Sequence, residues 1–378
     1  MNVHDGSAPL QDEPHPDDRH SPPLDADHDR SEQIIETIRE ASIAHEPLAI
    51  SGGNNKAFYG RHIVATPLSV GEHTGILSYD PTELVLTARA GTCLALIESV
   101  LADHRQVIPF EPPKFGATAT LGGAIACGLS GPRRPFAGAT RDFVLGVTLV
   151  TGQAQRLRFG GQVMKNVAGY DIARLMAGSL GTLGVLLEAS IKVLPAPQAE
   201  ITLVLEHQAE AAAIRTMNAL AARPLPLSAA CAYEGNLYVR LSGMESAVSA
   251  ARQRIGGSQV DGTSLWQDIR EHTHAFFAGS EPLWRVSVPS AAPVLDLPGH
   301  SLIDWAGAQR WLRTNIEAPV IRSTAERLGG HATLFRGHDG RGEVFHPLSP
   351  TLLTLHQRLK AAFDPQRILN PGRLYEAL

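Results

Sequence analysis

Hydrophobic positions along the chain alternate between two periods. Ile34, Ile35, Ile38 and Ile43 recur at helical spacing behind Ser31, a residue type that caps helices, and predict a helix across "SEQIIETIREASIAHE". The apolar run Leu48 to Ile50 predicts a strand that enters "SGGNNK". "GILSYDPTELVLTARAGT" predicts two short strands broken at Asp80-Pro81, and "TCLALIESVLADH" an amphipathic helix capped by Thr92. From Pro109 to Asp142 small residues replace large ones, and such a segment cannot build a core alone. Because it lies between well-patterned strands, it reads as backbone wrapped closely around a ligand.

"DFVLGVTLVTGQAQRLRF" then predicts a hairpin turning at Thr151-Gly152, "AGYDIARLMAG" a short helix, and Leu186 to Leu194 a strand closed by Pro195 and Pro197. Beyond Pro197 the order becomes simpler. Strand "ITLVLEH", helix "EAAAIRTMNALAA", hairpin "SAACAYEGNLYVRLSG" and helix "ESAVSAARQRI" read as a split βαβ unit. "PVIRSTAERLG" predicts a helix, "HATLFRG" a strand, and "SPTLLTLHQRLKAAF" a terminal helix running into "DPQRILNPGRLY". The expected class is α+β. The expected division is an acidic disordered tail over 1–30, a first domain over 31–197, a second α+β domain over 198–347, and a C-terminal segment over 348–378.

Composition narrows the function classes. At 378 residues two domains are the default, and 43% hydrophobic with 19% charged residues is a soluble globular balance. The formal charge of −5 gives no general attraction to nucleic acid or anionic lipid. No apolar run approaches the roughly 20 residues of a membrane helix, so any membrane association is expected through partners. The first thirty residues lack the basic start and apolar core of a secretory signal, which favours the cytoplasm. His4, His15, His20 and His28 are too irregularly spaced for a metal site. Cys93, Cys127 and Cys231 form no C-x-x-C pair, which argues against structural zinc, a cysteine-ligated iron–sulfur cluster or a disulfide framework.

The glycine turns carry the chemistry. "SGGNNK" is not a P-loop, since Lys56 is followed by Ala57, and it is not G-x-G-x-x-G. Consecutive backbone N–H groups around Gly52 and Gly53 suit an anion such as a diphosphate; an ordinary tight turn is the alternative. "ATLGGAIACG" and "GSLGTLG" are two more glycine turns beside strands in the same half of the chain. Three together suggest a long ligand lying across a sheet.

In this ordered set the chain resembles the FAD-binding fold shared by vanillyl-alcohol oxidase and p-cresol methylhydroxylase (PCMH). The likeness covers about Ile34 to Pro197 plus the terminal "FDPQRILNPG". "GGNNKAFYG", "KNVAGYDIARLMAGSLGTLG", "LIDWAGAQRWL" and "GGHATLFRG" extend it, from about residue 32 to the end, to the smaller flavin subunits of bacterial glycolate oxidases.

The resemblance implies a two-part, PCMH-type FAD-binding domain with a ferredoxin-like α+β cap domain. It implies diphosphate contacts from Ser51, Gly52, Gly53, Asn54 and Asn55, with Lys56 either adding charge or facing solvent. Ala119, Thr120, Gly122, Gly123 and Gly128 would face the ribityl and ring region. Gly138, Ala139, Arg141 and Asp142 follow, with Arg141 alternatively anchoring a loop through a salt bridge. Gly181, Thr182, Gly184 and Val185 would give backbone contacts, and Asn370 would lie near the isoalloxazine ring or simply turn the chain before Pro371. Family members with covalent flavin often carry the attaching histidine at the position held here by Asn54, so FAD is expected to be non-covalent.

For the substrate side, His331 and Arg336 are the catalytic candidates. No metal is expected at His272 and His274, which share a face only on a strand and lie in sequence that reads as helix. The implied function is an FAD-binding subunit beside a catalytic flavin subunit and an iron–sulfur subunit, serving oxidation of glycolate, a small 2-hydroxy acid, to glyoxylate. A self-sufficient FAD-dependent hydroxy-acid or alditol oxidoreductase and a structural subunit without a redox role remain open.

Overall fold

The computed structural model describes residues 27–161, 171–340 and 342–378. The expected tail over 1–26, with His4, His15 and His20, lies outside these residues, as do residues 168–170 of the predicted short helix, which is helical over Ile172–Met176. Asp27 to Arg30, read from the sequence as the end of the tail, are instead held in place. The buried guanidinium of Arg89 takes Asp27 at 2.5 Å and Asp29 at 3.1 Å as counter-charges, and His28 pairs with Thr74. The hydrogen bond from Arg89 holds the Asp27 carboxyl below its ordinary range.

The first part has two layers of different parentage. A five-stranded antiparallel sheet runs in the spatial order Ile76–Asp80, Val85–Arg89, Val185–Lys192, Val144–Val150, Arg156–Gly160. Beside it, Leu48–Ser51 pairs in parallel with Thr66–Ser69. Val185–Lys192 is central, and an irregularity between the Thr148–Glu188 and Leu149–Leu186 pairs shifts its alternation from one face to the other. Val185 and Leu187 pack with Ile34, Ile38 and Leu48, which brings in the helix Ser31–Ala44. Leu186, Ala189 and Ile191 join the opposite core with Leu94, Ile97 and Leu121, from the helices Leu94–Asp103 and Leu121–Cys127. Most of the strand is thus buried on both faces, with Glu188 and Lys192 only partly covered.

Two predicted caps are reassigned. Asp29, not Ser31, accepts the first free N–H of the opening helix, at 2.8 Å from Ser31 N. Thr92 does not cap Leu94–Asp103; its hydroxyl donates to Gly75 O at 3.1 Å and ties two loops.

The second part is an eight-stranded antiparallel sheet. Its first half is the order Ser258–Val260, Ala199–Leu205, Asn236–Gly243, Leu227–Tyr233, with the helices Glu210–Ala221 and Glu245–Ile255 on one face. This is the ferredoxin-like arrangement of a split βαβ unit. The second half continues through His300–Asp304, Gln309–Arg313, Leu283–Ser287 and His331–Arg336. Here Trp284, Val286, Leu312 and Ala332 pack against the helix Ala318–Arg327. The other face presents Trp311, Phe335 and Leu302 to Tyr59, Leu129 and Leu180 of the first part.

The helix Pro350–Phe363 brings the chain back, and Ile368 and Leu369 enter the core around Leu48. Leu48 N–H donates to Ile368 O at 2.7 Å, and Asn370 N–H donates to Leu48 O at 2.9 Å.

Candidate functional site

A cleft of about 810 Å³ opens between the two layers of the first part. Ser51, Gly52, Gly53, Asn54, Asn55 and Lys56 line one wall; Ala119, Thr120, Gly122 and Gly123 line another; Gly181, Gly184 and Asn370 close it. Segments separated by more than 300 positions therefore meet here, as Asn370 and Ile50 do.

The loop after Leu48–Ser51 is shaped by close approach. A Cβ on Gly53 would stand 1.6 Å from Thr118 O, and one on Gly52 2.4 Å from Thr120 Oγ1. Asn54 takes a left-handed φ of 58°, which asparagine tolerates better than most residues. The Thr118 hydroxyl donates to Gly53 O at 2.8 Å and fixes the turn from outside. The N–H groups of Gly52, Gly53, Asn54, Asn55 and Lys56 have no hydrogen-bond partner among the described residues. Successive unpaired N–H groups in a concave turn are what an anion needs and what a closed loop avoids.

Lys56 strengthens that reading. It is only 8% exposed, and its Nζ reaches a single carbonyl, Lys114 O, at 3.4 Å. Among the described residues no carboxylate lies within ion-pair distance, and burial pulls its pKa below the ordinary lysine value. Arg373 adds a second charge that sequence reading missed, although it lies in the quoted "NPGR". It lines the cleft, and its guanidinium is spent on backbone carbonyls: Arg61 O at 2.8 Å, Ala57 O at 2.7 Å and Tyr59 O at 2.8 Å. It thereby braces the segment that follows the glycine loop. Cys127 and Ala126 also line the cleft without a sequence signal beyond their small size.

The other walls are set by packing. Thr120 caps Leu121–Cys127 by accepting Gly123 N–H at 3.2 Å. Gly122 lies against Ala90, where an added Cβ would come within 2.7 Å of Ala90 Cβ. Asn370 is a clamp, neither a simple turn residue nor a free side chain. Its Oδ1 accepts Ile50 N–H at 2.7 Å and its Nδ2 donates to Leu180 O at 2.7 Å. Behind it, the buried Lys360 Nζ donates to Thr182 O at 2.8 Å and Leu369 O at 2.6 Å and pairs with Asp364 at 2.8 Å.

Several expected contacts are not brought to the cleft. Gly128 ends the Leu121–Cys127 helix with φ 62° and abuts Gly178. Thr182 gives its carbonyl to Lys360, while Val185 points into the core opposite Gly184, as strand alternation requires. Gly138, Ala139, Arg141 and Asp142 form a turn in which Asp142 Oδ2 accepts Ala139 N–H at 2.8 Å; Arg141 is exposed, 4.0 Å from Asp142.

The catalytic candidates also lie elsewhere. Arg336 stacks its guanidinium 3.7 Å from the Phe58 ring centroid, and His331 stands at the exposed start of its strand. Burial lowers the pKa of both, and Arg285 further disfavours protonated His331. His272 and His274 flank the end of the helix Thr263–Glu271, not a common face.

A family model described as "FAD binding domain" matches residues 28–160, and one described as "FAD linked oxidases, C-terminal domain" matches residues 337–374. The chain is 49% identical to the glycolate oxidase subunit GlcE of Escherichia coli (strain K12), over 93% of this chain and 99% of that protein. It is 35% identical to the glycolate oxidase subunit GlcD of Bacillus subtilis (strain 168), over 40% of this chain and 32% of that protein. Among solved structures an alkyldihydroxyacetonephosphate synthase matches with a TM-score of 0.65 at 16% identity, covering 91% of this chain and 75% of that one. That last likeness is one of fold. No helix among the described residues is long and apolar enough to cross a membrane.

Proposed function

Since the chain belongs to the FAD-linked oxidase family of the glycolate oxidase subunit GlcE, we propose that it is the FAD-binding subunit of a complex that oxidises glycolate to glyoxylate. One observation carries the cofactor assignment. The unpaired N–H groups of Gly52 to Lys56 and the uncompensated ammonium of Lys56 lie together in one cleft, and the diphosphate of FAD satisfies both.

In this reading the loop binds the diphosphate through main-chain hydrogen bonds, and Gly52 and Gly53 let it approach. Gly122, Gly123, Gly181 and Gly184 line the space for the flexible chain and ring, their small size letting the walls pack on Ala90, Asn370 and Leu149. Asn370 and Lys360 hold the far wall in register without spending a free polar group on the cofactor. Bound FAD supplies a two-electron acceptor for a hydroxyl-bearing carbon. Asn54 stands where a histidyl attachment would be, so the cofactor is held non-covalently.

The partners are a catalytic flavin subunit and an iron–sulfur subunit, with any membrane contact made through them. The chain's own cysteines, Cys93, Cys127 and Cys231, are dispersed, which supports a cluster on another subunit. The test is purification of the chain alone and with its partners. The expected results are a yellow chain, full release of flavin into the supernatant on acid precipitation, and glycolate bleaching that is complete only in the complex. Flavin remaining in the acid pellet overturns the non-covalent assignment. A colourless chain that still restores activity to its partners overturns the cofactor role.

A further inference from the structure

The glycine loop at the cleft does not hold its own shape; it leans on the segment from Lys114 to Thr118. Lys114 O takes Lys56 Nζ at 3.4 Å, and Phe115 O takes Asn55 Nδ2 at 3.5 Å. The Thr118 hydroxyl lies 2.8 Å from both Gly53 O and Asn55 Oδ1. Gly53, Asn55 and Lys56 all line the cleft, so this segment is the platform on which the loop and its buried ammonium are set. Its backbone is unusual. Glu111 has φ 46°, Phe115 φ 54° and Gly116 φ 149°. Side chains as bulky as phenylalanine rarely adopt positive φ, so contacts from outside the segment must hold it in this form.

Those contacts come from the second part. Glu271 Oε2 accepts Lys114 N–H at 2.9 Å and Phe115 N–H at 2.8 Å, while Oε1 accepts from Arg270 Nε at 2.8 Å. The carboxylate is only 14% exposed. Glu271 is the last residue of the helix Thr263–Glu271, where the negative end of the helix dipole disfavours an acid. What offsets that cost is the pair of N–H groups it takes from the first part. Upstream, Glu111 is tied to Arg240 of the second part at 2.7 Å, which anchors the start of the same segment. The Lys114 side chain, by contrast, stays within the first part, on Glu98 at 2.7 Å.

We propose that Glu271 is a positioning residue for the cofactor. From the second part it fixes the Lys114 and Phe115 amides, and through Lys114 O it aims the Lys56 ammonium at the flavin diphosphate. The inference rests on the FAD reading of the cleft. Glu271 lies outside the cleft and touches no part of the cofactor, so its influence passes entirely through the platform. The coupling runs both ways: a diphosphate that holds Lys56 also holds the platform against Glu271.

The experiment is fluorescence titration of the full-length apoprotein with FAD. It compares the unsubstituted chain with Glu271→Ala, Glu271→Gln, Lys56→Met and the double variant Glu271→Ala/Lys56→Met. Glu271→Ala should weaken FAD binding about tenfold or more, because two buried N–H groups lose their acceptor and the platform shifts. Glutamine keeps that acceptor, so Glu271→Gln should stay within about threefold of the unsubstituted chain. In the double variant Glu271→Ala should add less than about threefold to the loss from Lys56→Met, since the side chain through which it acts is gone. A merely structural role would give additive losses instead. Unchanged affinity in folded Glu271→Ala, equal losses in the alanine and glutamine variants, or full additivity overturns the proposal. If Glu271→Ala does not fold, Glu271→Asp, whose reach is shorter by one methylene, decides by the same criteria. An unsubstituted chain that binds no FAD sinks the cofactor reading and this inference with it. Tight binding that Glu271→Ala leaves unaltered sinks this inference alone.

Discussion

Asn370 accepts the backbone N–H of Ile50 at 2.7 Å, joining residues 320 positions apart at the floor of the flavin cleft. The same side chain donates to Leu180 O, so one amide sets the spacing of three walls. Replacement by leucine leaves a buried N–H and a buried carbonyl without partners, at about 1–3 kcal/mol each. Asn370→Leu should therefore lower stability by roughly 2–5 kcal/mol in urea unfolding. It should also weaken FAD binding at least tenfold in a fluorescence titration. An unchanged unfolding midpoint would show that the clamp contributes nothing.

Gly53 tests the close approach of the loop to its neighbour. Its missing Cβ would overlap Thr118 O, so Gly53→Ala must displace the turn that presents the N–H groups. The expected outcome is a folded, colourless protein with FAD affinity reduced at least a hundredfold. Retention of stoichiometric flavin after gel filtration would show that the loop is not the diphosphate site.

Lys56 makes an opposed pair of predictions. Burying an ammonium without a counter-charge costs stability, which a diphosphate would offset. Lys56→Met should raise the melting temperature of the apoprotein, by the equivalent of about 1–2 kcal/mol, while weakening FAD binding at least tenfold. Its flavin affinity should also vary less with salt than that of the unsubstituted chain. A fall in apoprotein stability would indicate that Lys56 is already satisfied.

How far the cofactor cleft could be read from sequence depended on what kind of constraint each residue answers. Gly52, Gly53, Gly122 and Gly123 are legible because close backbone approach admits only small residues, and that restriction is local. Gly128 and Gly138 obey a different local rule, the positive φ at a helix end, and look the same in sequence. Val185 follows Gly184 along the strand, and its side chain packs in the core. Arg373 and Lys360 gave no signal, since they are held by carbonyls far along the chain, Tyr59 O and Thr182 O. The ferredoxin-like order of the second sheet was legible from its regular alternation of strand and helix.

Asp304 gives a pH dependence. Burial lifts its carboxyl to about 7, against the opposing hydrogen bonds from Trp305 and Gln309. Between the ordinary value of 3.8 and about 7 the unfolded chain ionises this group while the folded chain keeps its proton. The folded state then binds more protons, so this group's contribution to stability falls as pH rises through that window and levels off above it. Asp304→Asn should remove the slope and stabilise the protein at pH 8 by roughly 2–4 kcal/mol. Chemical denaturation at pH 5 and pH 8 checks this, and an equal change at both values would refute it.

The parallel alignment of Leu48 with Leu369, locked by Asn370, also bears on the order of events during synthesis. The glycine loop that would grip the diphosphate is among the first ordered segments to leave the ribosome, yet the wall opposite it is incomplete until residue 370 has been made. A nascent chain therefore exposes the loop without being able to retain a cofactor. Retention of flavin is therefore expected only of a chain that extends through Asn370.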